Sequence, residues 1–322
     1  MTDFIDLKDG LIKMCLPTLL QDKTTKKNIV FATDSYEDRG GAYQADMEIK
    51  AELLPDMDLK PRILKSQEEQ ALRTRKKAEV FTPAWLCCKM NNHCDDEWFG
   101  RTDVFNRLIE EQWTATAGFI EFPKRKTWKK YVDSRRIEIT CGEAPYIVSR
   151  YDAATGQGIE IKDRIGILDR KLRVVNENTE DMDEWLKWTL RAFQSVYGYE
   201  WQGDSLLIAR INLLMTFMEY YRARWDSTPY NKTFSRMVSK VANVIAWNFW
   251  QMDGLTGVVP HGIPQEAPDS PKQLSFFDMG LDLGVQPESS MFGDNNDSER
   301  IYCRIYDWRS NCSMTYNSLK KG

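Results

Sequence analysis

Residues 205–221, SLLIARINLLMTFMEYY, constrain the fold more than any other stretch of this chain. They read as a helix that is apolar on nearly every side, and such a helix belongs in the interior. Residues 136–140 (RIEIT), 197–200 (YGYE), 244–252 (VIAWNFWQM) and 301–306 (IYCRIY) carry the β-branched and aromatic signature of short buried strands. Residues 183–195 (DEWLKWTLRAFQS) and 234–243 have helical apolar spacing, the former behind an acidic start. Strands alternating with helices predict an α/β fold with a parallel sheet covered by helices on both faces.

The same pattern divides the chain into four regions. Residues 1–80 are polar, with a charged helical stretch at 66–79, and read as a mostly helical N-terminal extension. Residues 81–259 form the α/β core. Residues 260–299 hold five prolines, four glycines, eight acids and one base, the composition of a mobile acidic linker. Residues 300–322 supply the last core strand and the C-terminus.

Several function classes recede at once. No run of about 18 apolar residues is present, so no membrane span is expected. The N-terminus, MTDFIDLKDGLIKM, is acidic where a signal peptide starts basic, which points to the cytoplasm. Seven scattered cysteines read as reduced thiols. Cys87, Cys88, His93 and Cys94 cluster, but no second cysteine pair follows at zinc-site spacing, so buried thiols are expected and no metal.

The net charge of −4 excludes a protein coated in positive charge, yet local basic runs remain. Residues 60–77 contain seven basic residues, and so do residues 124–136 (KRKTWKKYVDSRR). In the second run Lys124, Arg125, Lys126, Lys129 and Lys130 surround Trp128 and Tyr131. Such interleaving can neutralise phosphates and stack on bases, so double-stranded DNA is an expected partner.

Ligands of parallel α/β sheets bind outside the carboxyl ends of the strands. Three strand ends carry suitable residues. After the first come Glu138, Thr140, Cys141, Gly142, Glu143, Pro145 and Tyr146. Glycine there lets the backbone approach a ligand, and a carboxylate can accept from a cationic amino group. The second offers Glu200 and Trp201, an acid suited to ribose hydroxyls beside a flat ring. The third offers Asp253 and Gly254, an acid suited to an exocyclic amine.

These residues resemble the adenine-specific DNA methyltransferases of type I and related restriction–modification systems. Phe81, Thr82 and Pro83 look like the FTP element that closes over the methionine part of the cofactor. EITCGEAP (138–145) resembles the first motif, an acid and two residues before Cys-Gly. YEW (199–201) followed by ARINL (209–213) resembles the second, and Asp253-Gly254 the third. TWKKYVDSRRIEITCGEAP and YGYEWQGDSLLIAR also look like mobile-element proteins described as restriction endonuclease methylation subunits. The resemblance spans roughly residues 28–322. It implies a Rossmann-like class I methyltransferase sheet, S-adenosylmethionine as cofactor and adenine-N6 methylation of DNA in restriction–modification or phage defence.

The chain also departs from that pattern. The Asn/Asp-Pro-Pro-aromatic turn that holds the flipped adenine is absent from the sequence. Its positional equivalent is Asp307 with Trp308, the expected catalytic pair. A second glycine in the first motif is replaced by Ala144-Pro145. Only sixteen residues follow the last strand, so the sheet is completed by the N-terminal region or a partner subunit, or is reduced. A catalytically silent relative that binds DNA or a partner, or acts against restriction, is the alternative.

Three further patterns need placing. Asp34 with Glu48-Ile-Lys50 has the loose spacing of a Mg²⁺-dependent nuclease centre, against solvated charges. Trp185, Trp188, Trp247 and Trp250 fall at core spacing. In the acidic linker, Gln273, Leu274, Phe276 and Phe277 resemble a peptide that docks the replication sliding clamp. The competing expectation is that its apolar residues fold back on the domain.

Overall fold

A computed structural model describes residues 4–77, 82–225, 232–262 and 300–321. Its α-helices are α1 (Gly10–Leu20), α2 (Leu54–Met57), α3 (Gln67–Lys77), α4 (Ala84–Phe99), α5 (Trp128–Val132), α6 (Ile167–Asn178), α7 (Met182–Gln194), α8 (Gly203–Trp225) and α9 (Lys232–Asn248). The strands are β1 (Asn106–Ile109), β2 (Gln112–Ala115), β3 (Arg136–Glu138), β4 (Val196–Glu200), β5 (Phe249–Gln251), β6 (Arg304–Asp307) and β7 (Cys312–Thr315). Among the described residues no helix is long and apolar enough to cross a membrane.

The three consecutive strands β3, β4 and β5 form a parallel sheet in that order, with Ile137 opposite Tyr197 and Tyr199 opposite Trp250. Helices α6 and α7 connect β3 to β4; α8 and α9 connect β4 to β5. The chain is thus mixed α/β, as the alternation predicts.

The expected cover on both faces is corrected. Val196 and Phe249 point into the main core with α6, α7, α8 and α9. Tyr199 and Trp250 point the other way, against Cys303 and Ile305. Among the described residues that second face is covered by the antiparallel β6–β7 hairpin and Tyr316, not by an α-helix. Residues 301–306 are therefore not a further strand of the parallel sheet, because the ladder partner of β6 is β7.

Local chemistry explains most boundaries. Asp181 caps α7 by accepting from the Glu184 N–H at 2.8 Å, and the helix buries Trp185, Leu186, Thr189, Ala192 and Phe193. Each large apolar side chain so buried contributes roughly 1.5–3 kcal/mol. Helix α8 is interior along most of its length, with Leu206, Ile211, Leu214 and Phe217 inaccessible. Residues 244–248, expected as strand, are instead the end of α9. Val238, Val241, Ala242 and Ile245 continue one helical face, and β5 starts only at Phe249. An apolar run cannot by periodicity alone be assigned to strand or buried helix.

The N-terminal segment is tied into the core. Helix α1 buries Ile12, Cys15, Leu16, Leu19 and Leu20 in the cluster that holds α9's Val241 and Ile245. The Val30 N–H donates to Gln251 Oε1 at 3.0 Å, and Gln251 Nε2 donates back to the Val30 carbonyl at 2.9 Å. Two members of the basic run at 60–77 are consumed here. Lys65 and Arg73 reach Asp204 at 3.3 and 2.9 Å, all three buried, and Tyr36 donates to the same carboxylate.

Candidate functional site

The loop after β3 turns through three left-handed residues: Thr140 at φ 48°, Gly142 at 52° and Ala144 at 65°. A Cβ on Gly142 would meet nothing within 4 Å, so its backbone conformation, not crowding, favours glycine there. The Cys141 N–H donates to the Tyr199 carbonyl at 2.8 Å, and the Gly142 N–H donates to Glu200 Oε2 at 2.8 Å. The Met252 N–H donates to the Glu200 carbonyl at 3.2 Å. Loops from β3, β4 and β5 therefore meet at the carboxyl edge of the sheet.

Glu138 is buried at the end of β3. Its Oε1 accepts from the Tyr146 N–H at 3.3 Å, while Oε2 has no hydrogen-bond partner. Burial pushes its carboxyl well above the usual range, the Tyr146 and Ile147 N–H groups oppose the shift, and the neighbouring Glu200 adds to it. Glu200 Oε1 accepts from the Trp201 and Gln202 N–H groups at 2.9 and 3.1 Å. Asp253 Oδ1 accepts from the Leu255 and Thr256 N–H groups at 2.8 and 2.9 Å, closing a turn. Gly254 sits so close to Tyr199 that an added Cβ would lie 2.7 Å from the ring.

Other expected residues have structural employment. The Glu143 carboxylate accepts from the Arg62 N–H and the Tyr151 hydroxyl, and the Thr140 hydroxyl donates to the Ile139 carbonyl. Pro145 is half-buried in the loop, and Trp201 is 39% exposed. Two residues of the sequence motifs act as supports of the loop. Asn212 donates to the Glu143 carbonyl at 3.2 Å and so braces the loop from α8. The Tyr146 hydroxyl lies near the Thr82 side chain, which sets the Thr82-Pro83 element against the loop. Pro83 precedes α4 and its carbonyl accepts from the Cys87 N–H; Phe81 lies outside the described residues.

The structure places Asp307 and Trp308 away from the glycine loop. Asp307 accepts from Arg135 at 2.9 Å, from the Arg309 N–H and from the Ser310 hydroxyl, bonds that hold its carboxyl below the usual range despite partial burial. Arg135 precedes β3. Asp307, Trp308 and Tyr197 line a cleft with Ser195, the residue before β4. Trp308 Nε1 donates to Asn248, just before β5. The pair thus sits at the amino edge of the sheet, while the glycine loop sits at the carboxyl edge.

No protein-family model, curated protein or solved structure matches this chain.

The remaining expectations fall as follows. Lys124, Arg125, Lys126, Lys129 and Lys130 are exposed around α5, with Lys129 also 3.8 Å from Glu184 and Lys126 bonded to the Trp98 carbonyl. Cys87 and Cys88 are buried in α4, whereas His93 is exposed beside Glu97. Glu48, proposed for a nuclease centre with Asp34 and Lys50, accepts from the Asn28 N–H at 2.9 Å. Among the described residues no group of three or more metal-ligating side chains forms. Trp185 and Trp250 are core residues, while Trp247 is half-buried. Gln273, Leu274, Phe276 and Phe277 lie outside the described residues. A cavity of about 310 Å³ lies apart from the strand ends, against α6 and lined by Arg164, Asp169 and Arg170.

Proposed function

We propose that this chain is a methyltransferase-like subunit of a restriction–modification or phage-defence system that binds S-adenosylmethionine at the carboxyl edge of β3–β4–β5. The observation that carries the reading is a single βαβαβ unit whose strand-end loops are joined by the Gly142–Glu200 hydrogen bond. Such a unit is one mononucleotide-binding half of a doubly wound fold, and its ligand lies outside the carboxyl ends.

The residues present fit the cofactor. Glu138 Oε2 is a buried carboxylate oxygen without a partner, next to a second carboxylate, which suits a cationic ammonium. On this reading Glu138 receives the amino group and Glu200 the ribose hydroxyls, exchanging one backbone N–H for them. Asp253 offers its Oδ2 to the adenine amine, while Cys141, Gly142, Thr82 and Pro83 enclose the methionine part. S-adenosylmethionine supplies an activated methyl group.

The location of Asp307 and Trp308 favours a chain that does not methylate adenine by itself. Ile137 and Ile139 on the edge strand side are 48% and 65% exposed, which suits a partner subunit that extends the sheet beside β3 and brings the base-holding turn. Calorimetry with S-adenosylmethionine or S-adenosylhomocysteine is the decisive experiment. Saturable heat supports the reading, and no heat from folded protein at high ligand concentration sinks it. Tritiated-cofactor assays on DNA, with and without co-expressed partners, then separate a silent subunit from an active one.

A further inference from the structure

A second surface, at the opposite edge, has the chemistry of a nucleic-acid platform. Trp247, Tyr306 and Trp308 form a ladder with ring centres 5.1 and 4.5 Å apart, each ring half-buried and so half-open. Lys26 and Lys23 lie 5.4 and 5.9 Å from the Trp247 ring centre. Helix α9 has no acidic residue, and its outer face carries Arg236, Lys240, Asn243 and Trp247 in steps of four, three and four. Among the described residues none of Lys23, Lys26, Arg236 and Lys240 forms an ion pair with a carboxylate. In a chain of net charge −4 this is a basic stripe, without carboxylate partners among the described residues, that ends on a cluster of mutually tilted rings. Burial, then Arg210 and Lys26 nearby, push Lys23 down to about 8, the crowding that a phosphate relieves.

We propose that this surface binds single-stranded nucleic acid, its phosphates along α9 and its unpaired bases on the Trp247–Tyr306–Trp308 ladder. A solvated helix face accounts for Arg236 and Lys240 alone, but not for three clustered rings with Lys23 and Lys26 beside Trp247. Rings stack on unpaired bases of any sequence, whereas duplex bases are already stacked on each other. An acidic peptide would satisfy the lysines and leave the ladder unused. The inference is independent of cofactor binding, since Trp308 and Asn248 lie at the amino edge.

Fluorescence anisotropy of the full chain with a labelled oligothymidylate tests it. Affinity should fall with salt at a slope of roughly −0.7 per phosphate neutralised. The exposed double variant Arg236→Glu/Lys240→Glu should bind at least tenfold more weakly with a shallower slope and unchanged circular dichroism. Tyr306→Ala should weaken binding with the slope unchanged, separating stacking from charge. The proposal is overturned if wild type does not bind at low salt, if the double variant binds as wild type, or if duplex competes equally. It is likewise overturned if only Lys124→Glu/Lys129→Glu/Lys130→Glu abolishes binding.

Discussion

Gly142 donates its backbone N–H to Glu200 across a 2.8 Å hydrogen bond that joins the loop after β3 to the end of β4. Glu200 accepts two more backbone N–H groups, from Trp201 and Gln202, so one carboxylate organises two strand ends. A glutamine at this position keeps the shape but offers one acceptor oxygen instead of two. Glu200→Gln should therefore leave a buried donor unsatisfied and lower stability by about 1–3 kcal/mol. Urea denaturation measures that loss, and calorimetry should show the cofactor heat reduced in step.

Glu138 makes the cofactor reading sensitive to pH. Its folded-state carboxyl is raised by burial, so its stabilising contribution is fully present below the unfolded value of about 4.3 and is lost as pH rises through the folded one. Glu138→Gln, which cannot ionise, should gain stability relative to wild type as pH rises. A bound ammonium favours the carboxylate, so wild type should release protons on binding S-adenosylmethionine. Calorimetry in two buffers of different ionisation enthalpy detects this release. Glu138→Gln should bind more weakly without it, and equal proton release by both proteins would remove Glu138 from the site.

Asp204 is the reverse case. Burial would raise its carboxyl, but Lys65, Arg73 and the Tyr36 hydroxyl hold it far below the usual range. Its contribution is present above the unfolded value of about 3.9 and disappears as pH falls below that. Asp204→Asn removes the buried carboxylate that Lys65 and Arg73 share, leaves Lys65 the partly exposed Glu69 at 3.7 Å, and should cost about 3–5 kcal/mol at pH 7. The difference from wild type should narrow in denaturation curves taken at progressively lower pH.

Asp307 provides a negative control. Its ion pair with Arg135 is partly exposed, so Asp307→Ala should cost no more than about 1 kcal/mol. Cofactor heat should be unchanged, because the residue lies at the far edge of the sheet. Loss of cofactor binding in a folded Asp307→Ala protein would contradict that placement.

The C-terminal hairpin shows how far sequence reasoning reached. Residues 301–306 have strand composition, and β6 does form at Arg304–Asp307, but strand composition does not name a partner. The hairpin closes because Cys312–Thr315 lies within a short turn of it, and it then covers Tyr199 and Trp250. The run at 244–252 failed for a related reason. Its apolar residues suit helix or strand equally, and packing of α9 against α1 and α8 settled the boundary at Asn248.

What the amino-acid order determined by itself was local and periodic: the interior helix around residues 205–221, the capped helix at 182–194, and glycine and acid residues at strand ends. Those features depend on neighbours a few positions away, so a pattern of polar and apolar residues reveals them. Only the tertiary structure decided that Lys65 and Arg73 are buried on Asp204, that Asn212 braces the Glu143 loop, and that Asp307 lies opposite Gly142. Each of these depends on groups brought together from distant parts of the chain. A charge looks the same in sequence whether water or a carboxylate 131 residues away solvates it, as for Arg73 with Asp204.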